Sequence, residues 1–190
     1  MPNAIENAKT ILSELGNILE AVDIEQTENL ADAILAVKSS NKKIYAAGAG
    51  RSLLMIRGFA MRMMHLGLNS YVVGETSTPA IQTDDLIVFG SGSGETGALT
   101  IMIKKAKSVG AKVAVITCNP DSTLGRQADI LVQIPIEKGI KGFQPSGSTF
   151  EQGMLILCDA LVLRILEKGG LPKGFHDIDK YIMRFHANLE

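Results

Sequence analysis

Ser91, Ser93 and Thr96 place three hydroxyls in one short run, Gly90-Ser91-Gly92-Ser93-Gly94-Glu95-Thr96. Each hydroxyl can donate a hydrogen bond to an anionic oxygen. The glycines between them let the backbone approach a ligand where a Cβ would clash. Four apolar residues, Leu86 to Phe89, precede the run as a buried strand would, and a helical pattern follows from Ala98. Backbone amides at the start of such a helix lack partners, and the helix dipole favours an anion there. Neither lysine nor arginine occurs in the run. Hydroxyls and amides would therefore do the holding, and the chemistry they suit is the binding of a phosphate group.

Gly92, Gly94 and Gly97 also satisfy the G-x-G-x-x-G spacing of dinucleotide sites. That motif needs an acid about 20 residues on, at the end of the next strand, to bind a ribose. The next predicted strand, Lys112–Thr117, ends in Thr117-Cys118-Asn119-Pro120, with no acid before Asp121. A hydroxyl-rich loop suits a small phosphate monoester better, and a plain glycine turn without ligand is the remaining alternative. A second turn, Gly48-Ala49-Gly50-Arg51-Ser52, follows a predicted strand at Lys43–Ala47 and offers helix amides, the Ser52 hydroxyl and the Arg51 guanidinium. Leu53 stands where the last glycine of a dinucleotide fingerprint would be.

Glu151 opens a long apolar helix after the glycine- and proline-rich stretch 135–148. It reads either as a helix-start acid closing a capping box with Ser148, or as a general base at the mouth of a crevice. His65, at the end of a predicted helix over Leu53–Leu66, is either structural or functional. The tail from Gly170 to Glu190 adds His176 and His186.

These groups need a frame to converge. Strand and helix patterns alternate from residue 43 onward, with further strands at Asn69–Val73 and Ile130–Ile134. This predicts an α/β fold with a single doubly wound parallel sheet and helices on both faces. Ligands in such sheets bind beyond the carboxyl ends of the strands, so both glycine turns are expected to line one crevice. Ahead of the core, Ile5, Ala8, Leu12, Leu15, Leu19 and Val22 form one apolar stripe at helical spacing. Such a stripe packs either on its own domain or against another subunit, and its regularity outside the α/β alternation favours the second. Thr27 is the expected cap of the second helix. The methionines Met61, Met63 and Met64 read as core or interface. The expected organisation is one domain: N-terminal helices over 1–40, a core over 41–168 and a tail over 169–190.

The 190 residues suffice for one sizeable core, and 46% hydrophobic against 21% charged residues excludes a disordered chain. A net charge of −1 gives no basic field to draw nucleic acid or acidic lipid. Cys118 and Cys158 form no C-x-x-C pair, which suits a reduced compartment. No apolar run is long enough to span a membrane, and Met1-Pro2-Asn3-Ala4 does not begin a signal peptide. A cytoplasmic location is expected.

With the turn GAGRS at 48–52, SGSGET at 91–96 and QPSGSTFEQ at 144–152, the chain resembles the sugar isomerase (SIS) domain family. AMRMMHLG at 60–67, YVVGETSTPAI at 71–81 and RFHANLE at 184–190 extend the likeness over nearly the whole length. They narrow it to the ketose-phosphate isomerases that interconvert D-arabino-3-hexulose 6-phosphate and D-fructose 6-phosphate. The resemblance implies a flavodoxin-like domain, assembled as a homotetramer, with neither metal nor organic cofactor. It implies further that Gly50, Arg51 and Ser52, with Ser91, Gly92, Ser93, Gly94, Glu95 and Thr96, bind the sugar phosphate. Glu151 would be the base. His65 would shuttle a proton or bind substrate oxygens, in its own or a neighbouring subunit, with His176 and His186 as further candidates. Two alternatives stay open: a sensor of sugar phosphates, and an aldose–ketose isomerase such as the arabinose 5-phosphate enzyme.

Overall fold

A computed structural model describes residues 3–136, 143–170 and 175–188. Two helices, α1 (Ala4–Glu20) and α2 (Ile24–Ser39), lead into the core. There β1 (Lys43–Gly48), α3 (Gly50–His65), β2 (Asn69–Val72), β3 (Leu86–Gly90), α4 (Gly97–Ser108), β4 (Lys112–Thr117) and β5 (Ile130–Gln133) follow in turn. The long α5 (Ser148–Lys168) and the short α6 (Phe175–Ile182) end the chain. All five strands are parallel, in the order β2-β1-β3-β4-β5. The predicted α/β sheet forms as expected.

Side chains alternate across the strands and so supply two cores. Ile44, Ala46, Leu86, Val88, Ala114 and Ile116 face α2, α3 and α5. Tyr45, Ala47, Ile87, Phe89, Val113 and Val115 face α4. β3 is buried along its whole length, which is why it reads as an unbroken apolar run. Burying one aliphatic side chain of this size contributes about 1.5–3 kcal/mol. Met63 belongs to this core, whereas Met61 is exposed on the outer face of α3.

The cap of the second helix departs from expectation. Asp23, not Thr27, caps α2, its carboxylate accepting from Glu25 N at 2.7 Å and Gln26 N at 3.3 Å. Thr27 instead donates its hydroxyl to Ile24 O. Of the α1 stripe only Leu15 is buried, while Ile5 and Leu12 are 67% and 64% exposed. Among the described residues no helix is long and apolar enough to cross a membrane.

An ion network fastens α2 to α5. Arg164 meets Glu28 through Nε at 2.7 Å and Nη2 at 2.9 Å, and Lys168 reaches Glu28 at 3.0 Å and also pairs with Asp32. These donors hold the Glu28 carboxyl down at about 2. A carboxyl depressed on folding stabilises above its unfolded value and loses that contribution as pH falls toward the folded one. Glu28→Gln is therefore expected to melt below the wild type at pH 6–7. The two melting curves should converge between about pH 4.5 and 2, and a pH-independent gap would contradict the assignment.

Candidate active site

The strand order reverses direction between β1 and β3, the place where a doubly wound sheet opens a crevice. Register puts Gly48 opposite Gly90, and Gly90 opposite Ile116, so these strands end level. Beyond them lies a crevice of about 800 Å³. Ala49 and Ser52 line it from α3, Ser91, Ser93 and Thr96 from the loop after β3, and Thr149 from α5. Both glycine turns thus share one crevice. The side chains of Asn3 and Asp23 cap α1 and α2, but the caps of α3, α4 and α5 make no side-chain hydrogen bond. Three helix N-termini therefore keep their amides free where an anion would sit.

In the loop after β3, Ser91 is buried and its Oγ accepts from Gly94 N at 3.2 Å, 3.5 Å from Thr96 Oγ1. Ser93 Oγ accepts from Glu95 N at 3.2 Å. Both serines thus spend acceptor capacity on the loop and keep an O–H to donate outward. Gly94 has φ +66°, and a Cβ there would stand 2.5 Å from Ser122 Cβ. The loop is braced from behind by Thr117 Oγ1 and Cys118 N, both donating to Gly92 O, and by Leu124 N donating to Gly94 O.

Glu95 is turned to that brace. Its carboxylate accepts from Thr123 N at 2.7 Å and Thr123 Oγ1 at 2.6 Å. A free carboxylate beside the cradle would repel a phosphate. Here the Thr123 donors meet its charge, and Glu95 thereby braces the loop.

Glu151 departs from the expected capping box. The N-cap of α5 is Gly147, at φ +88°, and Ser148 is already inside the helix. The Glu151 side chain instead turns to Arg51, with Nε 2.6 Å from Oε2. Oε2 is buried and makes no aligned hydrogen bond, and the neighbouring Gln152 Oε1 is also buried without a partner among the described residues. Oε1 lies beside Gly147, which lines the crevice. Arg51, expected at the sugar phosphate, pairs in this structure with the Glu151 carboxylate. The result is a carboxylate at the rim of an anion cradle, with a guanidinium beside it.

The SIS domain family matches residues 39–164, which hold both turns, the cradle and Glu151. The chain belongs to the SIS domain family. This SIS protein is 42% identical over 191 residues to the 3-hexulose-6-phosphate isomerase of Bacillus subtilis (strain 168), spanning 97% of this chain and 98% of that one. It is 39% identical over 189 residues to the enzyme of the same name from Mycobacterium gastri, spanning 97% and 90%. A crystal structure from Methanococcus jannaschii, for which a 3-hexulose-6-phosphate isomerase function was inferred, superposes with a TM-score of 0.82 at 33% identity, covering 97% and 99% of the two chains.

Within one chain of this SIS protein, His65 and His186 do not line this crevice. His65 closes α3, roughly 20 Å along the helix from Ser52 at the standard rise. It is 2% exposed, and its Nε2 lies 3.2 Å from His186 Nδ1. Burial, Arg62 and His186 together push the His65 imidazole below 6.5, toward the neutral form. The tail seals this end, with Tyr181 donating to Leu66 O and accepting from Lys38 Nζ. His176 stands in the first turn of α6, and its side chain lies outside the described residues.

Several crevice residues escape a reading of the sequence. Glu14 and Asn17 reach the crevice from α1, and Gln144 from the connection ahead of α5. Cys118 lines the wall with its thiol pushed up to about 12 by burial. Only QPSGSTFEQ pointed toward any of these. The α1 residues lie between positions of an apolar stripe, and nothing local marks them.

Proposed function

We propose that this protein interconverts D-arabino-3-hexulose 6-phosphate and D-fructose 6-phosphate through a cis-enediolate, with Glu151 as base. The observation that carries the assignment is the buried Glu151 carboxylate, paired with Arg51 at the rim of the crevice that holds the hydroxyl cradle. Named relatives at 42% and 39% identity support the choice of substrate.

Ser52, Ser91, Ser93 and Thr96, with the free helix amides, clamp the phosphate. That remote anchor fixes which carbon meets the base, so binding energy becomes orientation. Glu151 takes the proton from C2 of the 3-ketose. The C2–H electrons form the C2=C3 bond and the former carbonyl π pair moves to O3. The Arg51 guanidinium and nearby amides offset the charge that develops. Glu151 returns a proton to C3 while the O2 proton passes to O3, leaving the carbonyl at C2. Substrate and product have the same composition, so the cycle balances without a further reactant.

A coupled assay tests the assignment. Ribulose 5-phosphate, formaldehyde and a separate synthase generate the 3-hexulose phosphate, and fructose 6-phosphate should appear when this protein is added. Binding of fructose 6-phosphate without turnover would make it a sensor, and turnover of arabinose 5-phosphate alone would overturn the substrate.

The proposal includes a cytoplasmic homotetramer serving the ribulose monophosphate route of formaldehyde fixation. Exposed Ile5 and Leu12 on α1, with Leu155 and Leu163 on the outer side of α5, are apolar surface suited to subunit contacts. In such an assembly His65 and His186 would act, if at all, on a neighbouring crevice. Light scattering should give a mass about four times 20.3 kDa, and a monomer would remove the tetramer.

A further inference from the structure

Glu14 is a second carboxylate in the crevice, contributed by a helix outside the α/β core. It is half-buried. Its Oε1 accepts from Thr149 Oγ1 at 3.3 Å and its Oε2 from Gln144 Nε2 at 3.3 Å. Hydrogen bonds to a carboxylate usually close to about 2.7–2.9 Å, so both contacts are loose. Among the described residues no lysine, arginine or histidine pairs with Glu14. An ionised carboxylate offers about four acceptor sites and no donor. Glu14 therefore presents unspent acceptor capacity to the crevice.

The complement of such a group is a hydroxyl donor. A phosphate is excluded from its vicinity by like charge, so the substrate's anionic end belongs at the cradle and its neutral end at Glu14. Thr149, the residue that Glu14 contacts, is two positions from Glu151 in the first turn of α5. Glu14 thus meets the helical turn that carries Glu151, and a substrate with its phosphate at the cradle and C2 and C3 at Glu151 would have only C1 left to place along this wall. Asn17, three residues on and on the same face of α1, lines the same wall and adds an amide.

We propose that Glu14 is a specificity-determining residue that accepts a hydrogen bond from the C1 hydroxyl of the ketose phosphate. This rests on the isomerase assignment above and adds to it a reason for the choice of substrate. Both 3-hexulose and fructose 6-phosphates carry a C1 hydroxymethyl group. An open-chain aldose phosphate presents a carbonyl oxygen there, an acceptor facing an acceptor. A site built to bind a substrate hydroxyl discriminates strongly against a ligand that lacks it, because its own polar group is left unpaired.

The test is a two-by-two comparison of protein and ligand. Dissociation constants for fructose 6-phosphate and 1-deoxyfructose 6-phosphate are measured by calorimetry on the wild type, Glu14→Ala and Glu14→Gln. The wild type is expected to favour fructose 6-phosphate by about 10- to 100-fold, the span of a hydrogen bond to a charged group. Glu14→Ala should bind the two ligands equally, and Glu14→Gln, which keeps a neutral acceptor, should retain a smaller preference. Equal loss of affinity for both ligands in Glu14→Ala would make the residue merely structural and overturn the proposal. So would a wild type that does not distinguish them. The coupled assay reads the isomerase assignment separately: turnover by the wild type with an unchanged ligand ratio in Glu14→Ala would sink the Glu14 role alone.

Discussion

Glu151→Gln should lower kcat by about 10³- to 10⁴-fold, the upper range for a positioned general base, with affinity for fructose 6-phosphate nearly unchanged. The two effects separate because base and anchor are built from different elements. The cradle hydroxyls sit on the loop after β3 and at the start of α3, braced by Thr117, Cys118 and Leu124, and none of these contacts involves Glu151. Glutamine keeps the size of the side chain and cannot take a carbon-bound proton. It leaves Arg51 without a counter-charge, but the Arg51 side chain is 61% exposed and water can solvate it. The melting temperature should therefore shift little. Initial rates in the coupled assay, paired with calorimetry, give the kcat-against-affinity split. Near-normal turnover would remove Glu151 from the base role, while a loss of affinity equal to the loss of rate would make it a binding residue.

What was legible in the sequence is what is decided locally. The cradle is a run of neighbouring residues whose hydroxyls and glycines announce their chemistry. β4 forms at Lys112–Thr117 as its apolar run predicts, because a strand buried on both faces carries its signal in every residue. What failed depends on partners distant in sequence. Ser148 and Glu151 have the spacing of a capping box, yet Arg51, about 100 positions earlier, supplies a stronger partner for the carboxylate. Thr27 is a plausible cap in isolation, but Asp23 captures two amides and the helix begins earlier. Glu14 is invisible for the same reason: which face of α1 meets the crevice is set by where α5 lies, not by the stripe of α1 itself. His65 shows the converse. Its neighbours carry a family motif, while within this chain its Nε2 meets His186 under the tail and its Nδ1 is buried without a hydrogen bond among the described residues.

Gly94→Ala should lower the melting temperature by about 5–15 °C and abolish measurable phosphate-dependent binding. Two costs combine. A non-glycine residue at φ +66° carries about 1–3 kcal/mol of backbone strain. The new Cβ would also overlap the Ser122 side chain, and forced overpacking adds about 1–3 kcal/mol. For a domain of this size each kcal/mol is worth about 2–4 °C. Relief requires the loop to move, and Gly94 cannot move alone. Its N–H holds Ser91 Oγ at 3.2 Å and its carbonyl accepts from Leu124 N at 3.1 Å. Displacing it rotates the Ser91 hydroxyl away from the anion and loosens the brace. Gly97→Ala is the matched control. No atom lies within 4 Å of a Cβ built there, and the residue opens α4, so this variant should melt at or above the wild type and keep its affinity. The pair also decides between the two readings of the glycine run. A dinucleotide site uses the third glycine for close helix–strand packing and should suffer at Gly97, whereas a monoester cradle should suffer at Gly94 alone. Wild-type melting and binding in Gly94→Ala would overturn the geometry described for the cradle.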